Sequence, residues 1–210
     1  MRGKFITLEG IDGSGKSTQL RLLADDLRFR GYNVLTTQQP GGTPLGRRLR
    51  EAFLETDENV APMAELLLFA ADRAQHVEFL IKPALQEGKI VLSDRYADAT
   101  VAYQGAGRGF SPTTIKQVVK LATDGLKPDL TLFFDLPVGL ALQRTNKRDE
   151  MGELKNRLDK ENSEFYERVR RAYLEIIDKD PKRFRIIDAT LSVQEIHAQA
   201  LEVLTDFLKK

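Results

Sequence analysis

The residues Gly10-Ile11-Asp12-Gly13-Ser14-Gly15-Lys16-Ser17 spell a complete G-x4-G-K-[ST] phosphate-binding loop, and no other feature of this 210-residue chain constrains its fold as tightly. The loop follows the apolar run Phe5-Ile6-Thr7-Leu8, and Lys16-Ser17-Thr18-Gln19-Leu20-Arg21-Leu22-Leu23 opens a helix after it. That is the strand-loop-helix context in which such a loop works. Its glycines let successive backbone N–H groups turn inward around an anion, Lys16 adds a point charge for the β and γ oxygens, and the Ser17 hydroxyl is a ligand for Mg²⁺. Residues 10–18, from Gly10 and Ile11 through Asp12, Gly13, Ser14, Gly15, Lys16 and Ser17 to Thr18, are therefore read as contacts for a nucleoside triphosphate.

Short apolar runs alternate with longer helical patterns along the rest of the chain. Strands are expected at 5–9, near Val34-Leu35-Thr36-Thr37, at Ile90-Val91-Leu92-Ser93, at 130–135 and at Ile186-Ile187-Asp188. Helices are expected at 16–30, 43–55, 61–87, 112–124, from about 137, at 158–178 and at 192–208. Five near-continuous apolar strands interleaved with helices imply an α/β fold, a parallel sheet with helices on both faces. The length suits one domain over 1–210. Lys and Arg total 32 against 31 Asp and Glu, a net charge of +1, so no global field draws the chain to nucleic acid or an anionic membrane. With no cysteine there are no disulfides, thiolate metal sites or thiol nucleophiles, and a cytoplasmic location is the simplest expectation. No window approaches a membrane-spanning length of apolar residues.

In a parallel sheet, ligands gather at the carboxyl ends of the strands. After the second strand, Gln38-Gln39-Pro40-Gly41-Gly42-Thr43-Pro44 specifies a sharp turn, either an ordinary entry to a helix or one that carries amides to an anion. After the third, Asp94 is placed for a Walker-B-like role beside a metal and Arg95 for clamping a second phosphate, a strand-end ion pair being the alternative. Tyr103 and Gln104 offer an aromatic ring and an amide suited to a nucleobase. Arg73 offers a planar cation, for a flat ring or for a neighbouring carboxylate.

These motifs together closely resemble the thymidylate kinase family. The match runs through Leu8-Glu9-Gly10 to Thr18, Gln39-Pro40-Gly41-Gly42-Thr43, Phe69-Ala70-Ala71-Asp72-Arg73, Asp94-Arg95-Tyr96 and Ala102-Tyr103-Gln104-Gly105, and on to the helix around Phe165-Tyr166-Glu167-Arg168. The resemblance implies the P-loop nucleoside-monophosphate kinase fold, transfer of the γ-phosphoryl group of ATP to dTMP with Mg²⁺, and a homodimer. It implies that Lys16, Asp12 and Arg95 act in catalysis and that Ser17 and Asp94 hold the metal. The acceptor site would comprise Asp12, Gln39, Phe69, Arg73, Arg95, Thr100, Tyr103 and Gln104, with Arg73 stacked on thymine, Gln104 on its edge, and Tyr103 crowding out a 2′-hydroxyl.

The family divides by whether an arginine stands in the phosphate loop or in a mobile lid over ATP. Gly13 occupies the loop position here, so the lid, around 144–157, is expected to supply the cation, with Arg144 and Arg148 foremost and Lys147 and Arg157 as further candidates. The chain departs from the family pattern where Thr-Arg-Glu-Pro-Gly-Gly becomes Thr37-Gln38-Gln39-Pro40-Gly41-Gly42, and where Ala99-Thr100 replaces a frequent Ser-Ser or Ser-Asn pair. Two other readings stay open at this stage. One is a kinase of the same fold acting on dUMP or a deoxynucleoside; the other is a nucleotide-switched P-loop scaffold.

Overall fold

The computed structural model describes residues 2–150 and 157–209, and the side chains among them except at 148–150. Five apolar runs form one fully parallel sheet in the order β2-β3-β1-β4-β5. The central strand β1 (Lys4–Glu9) is buried at every residue after Lys4. It lies between β3 (Ile90–Asp94) and β4 (Leu130–Asp135), with β2 (Val34–Gln38) and β5 (Phe184–Asp188) at the edges.

Strand alternation sends successive side chains to opposite faces, and here each face meets its own apolar layer. Phe5 and Val91 pack with Val77, Ile81 and Leu85, whereas Ile6, Leu8 and Leu92 join Leu23, Leu27, Phe133, Tyr173 and Leu204. This is the α/β sheet covered on both faces that the sequence pattern implies.

Helices α1 (Lys16–Phe29), α2 (Pro44–Leu54) and α3 (Pro62–His76) follow in chain order. The periodic stretch expected as one helix over 61–87 is interrupted. α3 widens into a π-helical turn, Val77–Ile81, before α4 (Lys82–Gln86). Pro83 has no N–H to continue the ladder and its ring crowds the preceding turn; the wider turn accommodates both.

A second π-helical segment, Val101–Gly107, continues α5 (Ala97–Thr100) and carries Tyr103 and Gln104. The sequence reading assigned no helix there. α6 (Pro112–Thr123) and α7 (Val138–Glu150) agree with expectation to within two residues at each end that was assigned. The helix expected at 158–178 instead begins as a 3₁₀ turn, Arg157–Lys160, and α8 runs Ser163–Lys179. Asn162 resets the start, its side chain accepting the Phe165 N–H at 2.9 Å as an N-cap. α9 (Val193–Leu208) opens with a capping box between Ser192 and Glu195.

The strand order reverses at β1, since β3 lies to one side of it and β4 to the other. The loop leaving β1 therefore opens into the crevice at the carboxyl ends of the strands.

Candidate active site

The phosphate loop turns on glycines in conformations that side chains rarely adopt. Gly13 has φ +81°, and a Cβ there would lie 2.6 Å from the Ala141 carbonyl oxygen on α7. A side chain at this position, arginine included, collides with backbone, a local reason for its absence. Gly15, at φ 85°, caps α1 and lets the first N–H groups of the helix face a cavity of about 650 Å³.

Asp12, Gly13, Gly15, Lys16, Ser17 and Thr18 line that cavity. Gly10, Ile11 and Ser14 shape the loop instead. The Gly10 carbonyl accepts from Arg95 at 3.0 Å, the Ile11 carbonyl and Ser14 Oγ accept from Lys16 Nζ at 2.8 and 3.2 Å, and the Ile11 side chain is buried in the core. Across the cavity mouth, Ser17 Oγ donates to Asp94 Oδ2 at 2.5 Å. Two hard oxygen atoms thus lie side by side at the cavity.

A smaller cavity of about 80 Å³ adjoins the first, and the two share Asp12, Gln39, Arg50 and Arg95. Phe69, Arg73, Thr100, Tyr103 and Gln104 line the smaller one. The structure therefore brings all eight residues expected at an acceptor site into one pocket. Arg95 forms the wall between the cavities. It is one of two non-glycine residues with positive φ among those described (68°), and its N–H is tied to the Leu8 carbonyl at 2.9 Å. A residue held in this sparsely populated region signals a side chain aimed by the fold. Its guanidinium donates to Asp12 Oδ1 at 2.6 Å and lies 4.8 Å from the centre of the Tyr103 ring, while Tyr103 donates to Asp12 Oδ2 at 3.0 Å.

The electrostatics follow from this packing. Burial by itself raises the Asp12 carboxyl, but the Arg95 and Lys16 charges outweigh it and bring the group down to about 2. Burial, reinforced by the Arg95 charge, lowers the Lys16 ammonium from 10.5 to about 8. Glu9, beneath the loop, is raised to about 7 by burial and then by Asp98, although Tyr96 N–H and Tyr173 O–H both donate to it at 2.7 Å.

Arg73 is almost wholly buried, at 1% exposure. Three neutral oxygens hold it: Gln39 Oε1 at 2.7 Å, Thr100 Oγ1 at 2.8 Å and the Tyr96 carbonyl at 3.1 Å. Gln39 is fixed from the other side by His76 Nδ1 at 3.4 Å, and His76 Nε2 pairs with Thr37 Oγ1 at 2.7 Å. The Gln38-Gln39-Pro40 turn is also anchored where Gly41 N–H donates to the buried Asp72 at 3.0 Å. The Gln39–Pro40 peptide is cis.

The lid arginines separate. Arg144 lines the larger cavity, donating to the Ala189 carbonyl at 3.0 Å. The side chain of Arg148 lies outside the described residues. Arg157 is not at the donor cavity: it donates to Glu65 Oε2 and to the Phe53 carbonyl, on the acceptor side.

Four charged residues at or behind the acceptor pocket escaped the sequence reading. Arg50 faces both cavities, donating to Glu55 at 3.1 Å and to the Pro40 carbonyl at 3.4 Å. Glu65 is fully buried behind the pocket and accepts from Gln104, Arg108 and Arg157, and Arg108 in turn pairs with Glu161 at 2.6 Å. Arg50 stands six residues past Pro44 in the helix that the Pro-Gly-Gly turn opens, and that spacing was its available signal. Glu65, Arg108 and Glu161 carry no local signal.

The thymidylate kinase family model matches residues 8–200. The thymidylate kinase of Desulfovibrio desulfuricans is 44% identical, aligned over 98% of this chain and 97% of its own length. That of Geotalea uraniireducens is 47% identical over 93% of each. The crystal structure of thymidylate kinase from Ehrlichia chaffeensis superposes with a TM-score of 0.78 at 36% identity, covering 98% of this chain and all of that one. The chain belongs to the thymidylate kinase family and is an ATP-using dTMP kinase.

Proposed function

We propose that the phosphoryl group crosses between the two cavities over the wall that Asp12 and Arg95 form. The observation that carries this reading is the sharing of Asp12, Gln39, Arg50 and Arg95 by a phosphate-loop cavity and a base-sized pocket. Phosphoryl transfer asks little covalent chemistry of a protein and much positioning and charge neutralisation. Lys16 and the loop amides hold the donor phosphates. Arg95 and Arg50 receive the 5′-phosphate of dTMP, and no general base is needed because the attacking oxygen is already anionic. Asp12, kept ionised, holds Arg95 and the Tyr103 hydroxyl in place. Tyr103 fills the space beside the sugar, which favours a deoxyribose.

Ser17 and Asp94 fit Mg²⁺, a cation that takes one or two protein oxygens and completes its shell with phosphate and water. When bound, it would neutralise charge on the transferring group. Arg144 is the described lid residue best placed to add a cation at the donor side of a single P-loop domain. The family resemblance supports a homodimer. No described helix is long and apolar enough to cross a membrane, and the family resemblance supports a cytoplasmic enzyme. ADP release measured with ATP alone, then with dTMP, dUMP or thymidine, tests the reading. Release that responds to thymidine as it does to dTMP would defeat the phosphate clamp.

A further inference from the structure

We propose that Glu65 is a positioning residue that sets which end of the Gln104 amide faces the base, and thereby makes the acceptor pocket read an imide edge. The proposal rests on the reading of Gln104 as the base contact and names what gives that contact its polarity.

An amide side chain can turn end for end, and only its partners decide which end points where. Gln104 is 1% exposed and its Nε2 donates to Glu65 Oε1 at 2.9 Å. An ionised carboxylate accepts and cannot donate. Glu65 is kept ionised by its surroundings: Arg108 donates to both of its oxygens at 3.2 Å and Arg157 donates to Oε2. Burial would raise this carboxyl, but the hydrogen bonds from Arg108 and Gln104 and the Arg108 charge hold it below the ordinary range.

With Nε2 turned to Glu65 through one of its two N–H groups, the opposite end of this amide is Oε1, an acceptor turned away from Glu65. Across the pocket, Arg73 presents only donors. An acceptor and a donor together match the N3–H and C4 carbonyl of thymine or uracil, and oppose the ring nitrogen and amino group of cytosine.

The isosteric variant Glu65→Gln separates orientation from packing. Arginines cannot become acceptors and Gln104 can, so the retained oxygen takes the Oε2 place, where Arg108 and Arg157 both donate, and the new NH₂ group takes the Oε1 place, opposite Gln104, at the cost of the 3.2 Å hydrogen bond from Arg108 Nε. Gln104 must then turn its oxygen toward residue 65 and its NH₂ toward the base. The expected result is a KM for dTMP raised about ten- to hundredfold, with the preference for dTMP over dCMP reduced and the KM for ATP unchanged.

Gln104→Ala, run in parallel, tests the underlying reading. If it leaves the dTMP constant as in the parent, Gln104 does not read the base. If it weakens dTMP while Glu65→Gln keeps the parental dTMP constant and base preference, the positioning proposal is overturned and the base contact stands. Should Glu65→Gln not fold, the unmodified protein supplies the test. The Gln104 side-chain amide signals in an NMR spectrum, identified by their loss in Gln104→Ala, should resist hydrogen exchange without dTMP, and exchange at the rate of a free amide would overturn the proposal.

Discussion

Raising the pH should weaken nucleotide binding and at the same time stabilise the free protein, through a single group. Lys16 is 5% exposed, and its ammonium is held near 8 instead of 10.5 by burial and the Arg95 charge. Bound phosphates restore the charged form, so the nucleotide selects protonated Lys16. Above pH 8 the fraction in that form falls about tenfold per unit, and ADP affinity should fall in step, about tenfold between pH 7 and pH 9.

Stability moves the other way. A folded-state value below the unfolded one means that folding disfavours the charge. This cost is complete below pH 8 and is relieved as pH rises from 8 to 10.5, a span worth about 3 kcal/mol at about 1.4 kcal/mol per unit. Glu9, near 7, completes its ionisation below most of this window. The assays are ADP titration and denaturant unfolding from pH 7 to 10 on the parent, on Lys16→Arg and on Lys16→Met. The guanidinium of Lys16→Arg stays charged throughout, so its ADP affinity should hold level. The stability advantage of Lys16→Met over the parent should shrink with rising pH. Parental ADP affinity that is level across pH 7–9.5, or a parent-to-Met difference that does not change with pH, would refute the argument.

Arg95→Ala should raise the KM for dTMP and lower kcat, each by about tenfold or more, because the group both binds and orients the acceptor phosphate; steady-state kinetics that show only the ATP constant moving would remove Arg95 from the acceptor site. Gly13→Arg should lower thermal stability and raise the KM for ATP, since the position demands φ +81° and a Cβ would meet the Ala141 carbonyl at 2.6 Å. A variant as stable as the parent, measured by calorimetry, would show that the loop relaxes around the side chain.

What the sequence made legible was what the backbone dictates locally. The phosphate loop, the five strands and the site residues just past the first three of them were found, because burial of the central strands on both faces leaves largely apolar runs and the switch point is set by strand order; Leu191, Ser192 and Val193, past β5 at the larger cavity, were not. Boundaries failed where one residue overrode periodicity: Pro83 forced the wide turn at Val77–Ile81, and Asn162 delayed α8 to Ser163. The segment carrying Tyr103 and Gln104 went unassigned because α5 has four residues and the π-helical turn after it breaks the 3.6-residue period on which helix reading depends.

Side-chain networks behave differently from backbone motifs, and Glu65 shows why. In sequence it is one acidic residue near the start of an amphipathic helix, where an exposed carboxylate is ordinary. Its burial depends on Gln104, Arg108 and Arg157, which lie 39, 43 and 92 residues away. The same holds for Arg157, whose charged neighbours suggested a lid over ATP but whose guanidinium reaches the acceptor side. Removing charge from water requires several partners at once, and the partners here come from two distant segments, Gln104 and Arg108 from the π-helical segment and its cap and Arg157 from the 3₁₀ turn. The chemistry of such a residue is fixed by which elements the fold brings together, so a local pattern that locates the phosphates can leave the groups that orient the base contact unseen.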